Sequence, residues 1–315
     1  MNVMRRNDDA TCTAAGNQKN SFKRKYEMAK AFSMTVLKVT FAHYIFLMAF
    51  FNNKVVVVTG GSDGIGKALV ENLLSQGAKV ATCARNFDKL YQLGKMHAGK
   101  PLITASVDVS NESECKKFIE DVVKTFGVID VLINNAGVSM RALFKDVSLE
   151  AMRKVMDINY WGTVYCTKFA LPYISKQKGT IAAVSSIAGF RGLPGRSGYS
   201  ASKFAMNGFM EALRTEMLES GVNIMWVTPG FTASNIRNAA LTKDGSPQGM
   251  SPLDEGSLMT AEECATQILN AIEKKKRTLI FSSGDKRTVL FNKIIPSLTD
   301  KFVRKFFFKN GELIK

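Results

Sequence analysis

The stretch that decides the fold is Lys54-Val55-Val56-Val57-Val58-Thr59-Gly60-Gly61-Ser62-Asp63-Gly64-Ile65-Gly66. Its first half is a β-branched run without alternation, which suits a strand covered on both faces. After a Gly-rich turn, Ile65, Ala68, Leu69 and Leu73 recur at spacings of three and four until Gly77, which predicts a helix. The glycines thus stand where a buried strand meets a helix. Gly60 lets the chain leave the strand sharply, Gly64 lets backbone approach a pyrophosphate, and Gly66 lets the helix pack closely. The helix start adds free N–H groups and the positive end of a dipole. The spacing is G-x-x-x-G-x-G and not G-x-G-x-x-G, so an ordinary tight turn stays open as the blander reading.

Outward from this turn the punctuation is regular. Further strands are expected over 79–84, 102–107, 128–134, 180–185, 223–228 and 278–281. Helices are expected over 86–97, 111–126, 148–176, 199–219 and 261–274. Such alternation predicts an α/β fold, one doubly wound domain whose parallel sheet carries helices on both faces. We place that domain at 52–290, between an extension over 1–51 and a basic tail over 291–315.

Charge and cysteine narrow the chemistry. The chain has 315 residues, 43 Lys and Arg against 27 Asp and Glu, and a net charge of +16. Residues 1–47 carry +5 of it and residues 274–315 carry +9, so the body between them is nearly neutral. A nucleic-acid binder carries its basic stripe on the folded domain, which argues against a nucleic-acid partner. Five cysteines without a C-x-x-C pair, together with two histidines, argue against a disulfide framework, a zinc ribbon or a His-rich metal site. No metal is expected, and the cysteines read as small buried hydrophobes. The reducing interior of a cell fits, with cytoplasmic placement.

The first fifty residues are of another kind. Residues 1–30 are polar and basic, and 31–51 are apolar but broken by Lys38 and His43. The uncharged run 39–53 is short for a bilayer span, which takes about 20 residues. Three readings stand: a segment outside the fold or before a true start at Met48, a membrane-associating anchor, or a removed signal.

The end of the second strand reports on a cofactor's ribose. An acidic residue there suits the 2′-hydroxyl of NAD, whereas an Arg suits the 2′-phosphate of NADP. The segment reads Thr82-Cys83-Ala84-Arg85-Asn86, so NADP(H) is favoured over NAD(H). Asp63 has the wrong sign for a phosphate, and its blander role is to complement the helix dipole.

Tyr199-Ser200-Ala201-Ser202-Lys203 puts a phenol and an ammonium on one helical face. A nearby cation favours the phenolate and lowers the tyrosine pKa toward the range of an acid-base catalyst. The spacing alone is uninformative, because Tyr26 with Lys30 and Tyr91 with Lys95 share it. Tyr199 differs in its company. Ser186 ends the fifth strand, Asn134-Asn135-Ala136-Gly137 ends the fourth, and Asn159 falls in the helix between them. Ligands of doubly wound sheets bind at that carboxyl edge. Each asparagine taken singly is also a common turn former. A Ser-His-Asp hydrolase does not fit, since neither His43 nor His97 comes near a strand-end serine.

Together these residues resemble the short-chain dehydrogenase/reductase family over about 53–281. The match lies in the T-G-x-x-x-G-x-G turn, Asp108, N-N-A-G, Asn159, Ser186, Tyr199, Lys203, and Pro229-Gly230 with Thr232. The resemblance implies a seven-stranded sheet of order 3-2-1-4-5-6-7, hydride transfer at a nicotinamide ring, and a homodimer or homotetramer. It implies that Tyr199 exchanges the proton with the substrate oxygen and that Ser186 hydrogen-bonds that oxygen. Lys203 is implied to hold the nicotinamide ribose and Asn159 to support a water relay. The cofactor is implied to lie along Thr59, Gly60, Ser62, Asp63, Gly64, Ile65, Gly66, Arg85, Asn86, Asp108, Val109, Asn135, Ala136, Gly137, Tyr199, Lys203, Pro229, Gly230 and Thr232.

The substrate is less legible. The segment 234–257, rich in Gly, Ser, Asn and Asp, covers the substrate in the family. Residues from 238 onward resemble its lipid and steroid branch, implying an NADPH-dependent reductase of a hydrophobic, lipid-like ketone or alcohol. A catalytically silent NADP-binding scaffold, recruited to membranes by its basic ends, is the alternative. In the tail, Leu298, Phe302, Val303, Phe306 and Phe307 recur at helical spacings among Lys301, Arg304, Lys305 and Lys309. A basic amphipathic helix of this kind suits peripheral contact with an anionic membrane, or packing on the domain or a partner subunit.

Overall fold

The computed structural model describes residues 50–251 and 254–314. The readings made for residues 1–49, with Tyr26, Lys30, Cys12, His43 and Met48, lie outside the described residues. Seven parallel strands form the sheet: β1 (Val55–Thr59), β2 (Lys79–Ala84), β3 (Leu102–Ser106), β4 (Val131–Asn134), β5 (Thr180–Val184), β6 (Asn223–Thr228) and β7 (Thr278–Ile280). Their order is β3-β2-β1-β4-β5-β6-β7, as the resemblance implies. The chain order reverses between β1 and β4, where crossovers leave a crevice at the carboxyl edge.

The unbroken Val run has a simple cause. Val55 and Val57 pack into one apolar layer with Ile119, Cys166 and Met206. Val56 and Val58 pack into the other with Leu69, Leu73 and Ile268. A strand facing two helix layers has no solvent side, so both parities are apolar. One layer holds helices α3 (Glu112–Phe126), α5 (Gly162–Gln177) and α6 (Ser197–Glu216). The other holds α1 (Gly64–Ser75) and α7 (Ala261–Glu273), with α2 (Phe87–Met96) after β2. Phe51, which the sequence reading leaves in the extension, is fully buried in the second layer. Cys83, Cys115, Cys166 and Cys264 are free and buried, as expected of small hydrophobes.

Three elements differ from expectation. β4 starts at Val131 and not at residue 128, because the Asp130 carboxylate accepts from the Val55 N–H at 2.8 Å. The single helix expected over 148–176 is α4 (Leu149–Met156), a π-turn (Asp157–Trp161) and α5. Beyond the sheet, α8 (Ser283–Ile294) has no fully buried residue and so left no apolar stripe to find.

The tail forms α9 (Pro296–Phe307) and a short hairpin of β8 (Phe308–Lys309) and β9 (Glu312–Leu313). Phe307 is buried, the Leu313 side chain closes against Gly195, and Arg191 pairs with Asp300. Leu298, Phe302 and Phe306 stay exposed. No described helix is long and apolar enough to cross a membrane.

Candidate active site

The turn after β1 is built for close approach. Gly60 has φ +72°, a left-handed conformation, and a Cβ there would stand 2.8 Å from Ala136 Cα. A Cβ on Gly66 would collide with Gly60 O and the Asn135 amide, so this glycine clears the turn itself. Contact with the sheet falls to Gly61, whose Cβ would strike Thr82. Thr59 ties this turn to the next loop: its Oγ1 accepts from the N–H of Asn135 at 3.1 Å and of Ala136 at 3.0 Å. Asn135 Nδ2 returns the tie by donating to Thr59 O and Gly60 O.

Beside this turn lies a groove of about 330 Å³ lined by Gly60, Ser62, Asp63, Gly64, Ile65, Gly66, Arg85, Asn86, Asp108, Val109, Asn135, Ala136 and Gly137. Every residue expected at the phosphate and ribose end lines it except Thr59, which braces it from behind. Asp63 does two things. Its Oδ1 accepts from Gly64 N at 2.7 Å as the cap of α1, and its Oδ2 pairs with Lys89. Lys89 also lines the groove, and sequence reasoning missed it. The signal was available: Lys89 stands four residues after Arg85 and neutralises the one acid of the turn. Asn86 caps α2 by accepting from Lys89 N at 2.9 Å. A glycine cradle that side chains would fill, with two cations at its far end, fits a dinucleotide.

A second cavity of about 140 Å³ continues from the first, sharing Ile65, Asn135, Gly137, Ser234 and Ile236. Ser186, Tyr199, Lys203, Pro229, Gly230 and Thr232 all line it. Ser186 follows β5 and caps the next turn, its Oγ accepting from Ala188 N at 3.2 Å. Its neighbour Ser185 donates through Oγ to Asn207 Oδ1 at 2.6 Å, tying the strand end to α6. Tyr199 and Lys203 lie on one face of α6, with the ammonium 5.8 Å from the ring centroid. Lys203 Nζ donates to Val184 O at 2.8 Å.

Asn159, fully buried, stands on the π-turn and is the hub behind these groups. Its Oδ1 accepts from Val138 N at 2.8 Å, and its Nδ2 donates to Val138 O and Ser202 Oγ at 2.9 Å each. The extra residue of a π-turn shifts the helix register and turns Asn159 inward. It therefore holds the N-N-A-G loop against the Tyr199 helix, through the missed residue Ser202.

The electrostatics correct one expectation. The reading from spacing has the Lys203 cation lowering the Tyr199 pKa. Instead burial raises the phenol, opposed by a hydrogen bond from Ser186 and by the charges of Arg196 and Arg237. Lys203 is itself lowered to about 7 by desolvation. A charge removed from water disfavours itself before it can favour a neighbour. The cations acting on the phenol are thus two arginines that the sequence reading did not weigh.

Comparison with known proteins bears on the family and the fold. A family model described as short chain dehydrogenase matches residues 54–245. Dehydrogenase/reductase SDR family member 7B of Mus musculus is 36% identical over 242 residues, covering 74% of this chain and 75% of that one. 11-beta-hydroxysteroid dehydrogenase 1A of Arabidopsis thaliana is 34% identical over 273 residues, covering 82% and 78%. Among solved structures, a short-chain dehydrogenase/reductase from Burkholderia phymatum in complex with NAD superposes with a TM-score of 0.71. It is 23% identical, covering 79% of this chain and 95% of its own, and so speaks to the fold.

Proposed function

The chain belongs to the short-chain dehydrogenase family, and on that premise we propose that it is an NADP(H)-dependent reductase of a hydrophobic, lipid-like ketone, or dehydrogenase of the matching alcohol. The observation that carries this reading is the convergence of Ser186, Tyr199 and Lys203 on one cavity continuous with the glycine groove. Relatives named as 11-beta-hydroxysteroid dehydrogenases support a bulky apolar substrate. A bound dihydronicotinamide supplies the hydride. Tyr199 donates the proton to the carbonyl oxygen, and burial, which keeps the phenol protonated, suits a donor. Ser186 hydrogen-bonds the same oxygen, and Lys203 leaves Val184 O to hold the ribose hydroxyls. Asn159 positions this helix and supports a water relay to Lys203.

Arg85 and Lys89, at the groove's far end, support the preference for the 2′-phosphate. Trp161 and Phe204, exposed near and on α6, support a homodimer or homotetramer, and the tail's exposed apolar face supports peripheral membrane contact of a cytoplasmic protein. The test is NADPH consumption by the purified full chain against a panel of ketones, from small alicyclic to steroid and long-chain. Turnover of at least one bulky apolar ketone is expected. No turnover across the panel, in either direction, overturns the reading.

A further inference from the structure

One carboxylate lines the second cavity, Asp285, and it is turned away from the bond its position offers. Ser282-Ser283-Gly284-Asp285 opens α8 with the pattern of a capping box, in which the acid bonds back to the N–H of the cap residue. The same pattern at Thr260 and Glu263 makes both bonds at the start of α7. In α8 only half of it forms. Ser282 Oγ accepts from Asp285 N at 2.9 Å, and the carboxylate does not return the bond. Asp285 Oδ2 stands instead 3.7 Å from where a Cβ on Gly230 would lie, buried and without a hydrogen-bond partner. Among the described residues no cation pairs with Asp285 within 4.0 Å.

A buried acceptor of this kind costs more left bare than one hydrogen bond contributes, so it marks where a donor belongs. The other polar groups of the cavity narrow what that donor is. Lys203 donates to Val184 O and Arg237 to Thr232 O, while Arg196 Nε, like Asp285 Oδ2, is buried without a hydrogen-bond partner. An ammonium would suit Asp285 but meet the Arg196 charge, and an anion would suit Arg196 but meet Asp285. A neutral hydroxyl offends neither. Asp285 lines the second cavity and not the glycine groove, which points to the substrate and not to the cofactor's phosphates or ribose. The remaining walls include Ile187, Leu193, Phe231 and Ile236, which suit an alkyl or alicyclic body.

We propose that the substrate is a neutral, hydroxylated apolar ketone or alcohol: a second hydroxyl, apart from the reacting oxygen, donates to Asp285 while the reacting oxygen meets Tyr199 and Ser186. This rests on the reductase reading for the identity of the reacting group, but the hydroxyl site stands on Asp285 alone. Asp285 then selects hydroxylated substrates at the binding step and takes no part in proton transfer.

The experiment uses the full chain loaded with NADPH, so that alcohols are not oxidised. Calorimetry measures three eight-carbon probes that share one hydroxyl end and carry at the other a second hydroxyl, a methyl ether or an ammonium. The diol is expected to bind about 10- to 100-fold tighter than the ether, the worth of a hydrogen bond to a charged group, and tighter than the amino alcohol. Asp285→Ala should bring the diol-to-ether ratio down to about threefold or less. Asp285→Asn keeps the shape and an acceptor but not the charge, and its ratio should fall between. NADPH affinity within about threefold of wild type reports that each variant is folded, and if the alanine variant fails this, Asp285→Asn carries the test.

A wild-type ratio near unity, or one that neither variant lowers, overturns the inference. Tightest binding by the amino alcohol overturns it too, since the site would then take cations. So does a loss of NADPH affinity in Asp285→Asn with the diol-to-ether ratio unchanged, which would give the carboxylate to the cofactor. Alongside, NADPH consumption is followed with a long-chain hydroxy ketone and its methyl ether. Diol-selective binding without turnover of any ketone sinks the reductase reading and leaves the hydroxyl site standing. Turnover of both ketones alike, without diol preference, does the reverse.

Discussion

The Lys203 ammonium lies 5.8 Å from the centroid of the Tyr199 ring, one turn along the same helix, and spends its hydrogen bond on Val184 O. Each group is buried, and burial favours the neutral form of each: the phenol is raised and the amine lowered to about 7. The pair therefore costs stability in the absence of ligand. The unfolded chain holds the Lys203 proton up to its ordinary value of 10.5, while the folded chain releases it near 7. Between those values the unfolded state binds more protons, so this group's contribution to stability rises with pH, and below 7 its cost is present in full.

Lys203→Met should accordingly be more stable than wild type near neutrality while losing activity. Two pH units correspond to about 2–3 kcal/mol, so the advantage of the variant should shrink by that amount between pH 7.5 and 9.5. The raised Tyr199 stays neutral across this window and cancels in the difference. Urea unfolding at the two pH values checks it. An advantage that does not change with pH would mean that the folded chain keeps Lys203 charged.

Tyr199→Phe removes the phenolic proton and keeps the ring in its apolar seat. Turnover of any ketone substrate should fall by about 10²–10⁴-fold, the usual worth of a placed acid. NADPH affinity should stay within about threefold, since the groove contacts remain and only one of many groups is lost. Titration of NADPH fluorescence beside steady-state rates separates the two. A variant turning over at near wild-type rates would remove Tyr199 from the proton transfer.

The two cations at the ribose end should behave differently. Arg85→Ala should weaken NADPH by about 10- to 100-fold and NADH little, because only NADPH carries the 2′-phosphate. Lys89→Ala should weaken both, because it also frees the Asp63 carboxylate beside the cofactor's phosphates. Equal losses of NADPH and NADH in Arg85→Ala would place the 2′-phosphate elsewhere.

The sheet was legible because its logic is local. Val55 to Val58 must be apolar at both parities when helices cover both faces, and a run of four β-branched residues states that without ambiguity. The glycine turn and the strand-end Ser186 were legible for the same reason, each being tied to the end of a strand. What escaped depends on contacts across the chain. The π-turn at Asn159 adds one residue to a helix, which periodicity over 148–176 averages away. The reversal of the Tyr199 shift follows from burial of the phenol itself, and the charges that oppose it include Arg237, 38 residues further on, whose approach no spacing rule announces. The pairing of Lys89 with Asp63 across 26 residues is another such contact, although the place of Lys89 four residues after Arg85 was readable.

The tail divides into a face that packs on the domain and a face that is largely exposed. Phe307 and Leu313 close against Arg196 and Gly195, so removing the whole tail would disturb the wall of the second cavity as well as the surface. The exposed face is the cleaner target. Phe302 is 64% exposed, and Leu298 and Phe306 share its surface, with Lys301, Lys305 and Lys309 nearby. An apolar stripe flanked by cations gains from acyl chains and from anionic headgroups together, about 1 kcal/mol per cation near the surface. Replacing Leu298, Phe302 and Phe306 together by Ser should therefore cut partitioning onto phosphatidylserine-containing vesicles by at least about 10-fold, given about 1.5–3 kcal/mol per apolar side chain buried. NADPH binding should be retained, because none of the three lines the groove or the cavity. Vesicle flotation of the two proteins decides it: unchanged partitioning would assign this face to packing against another protein surface.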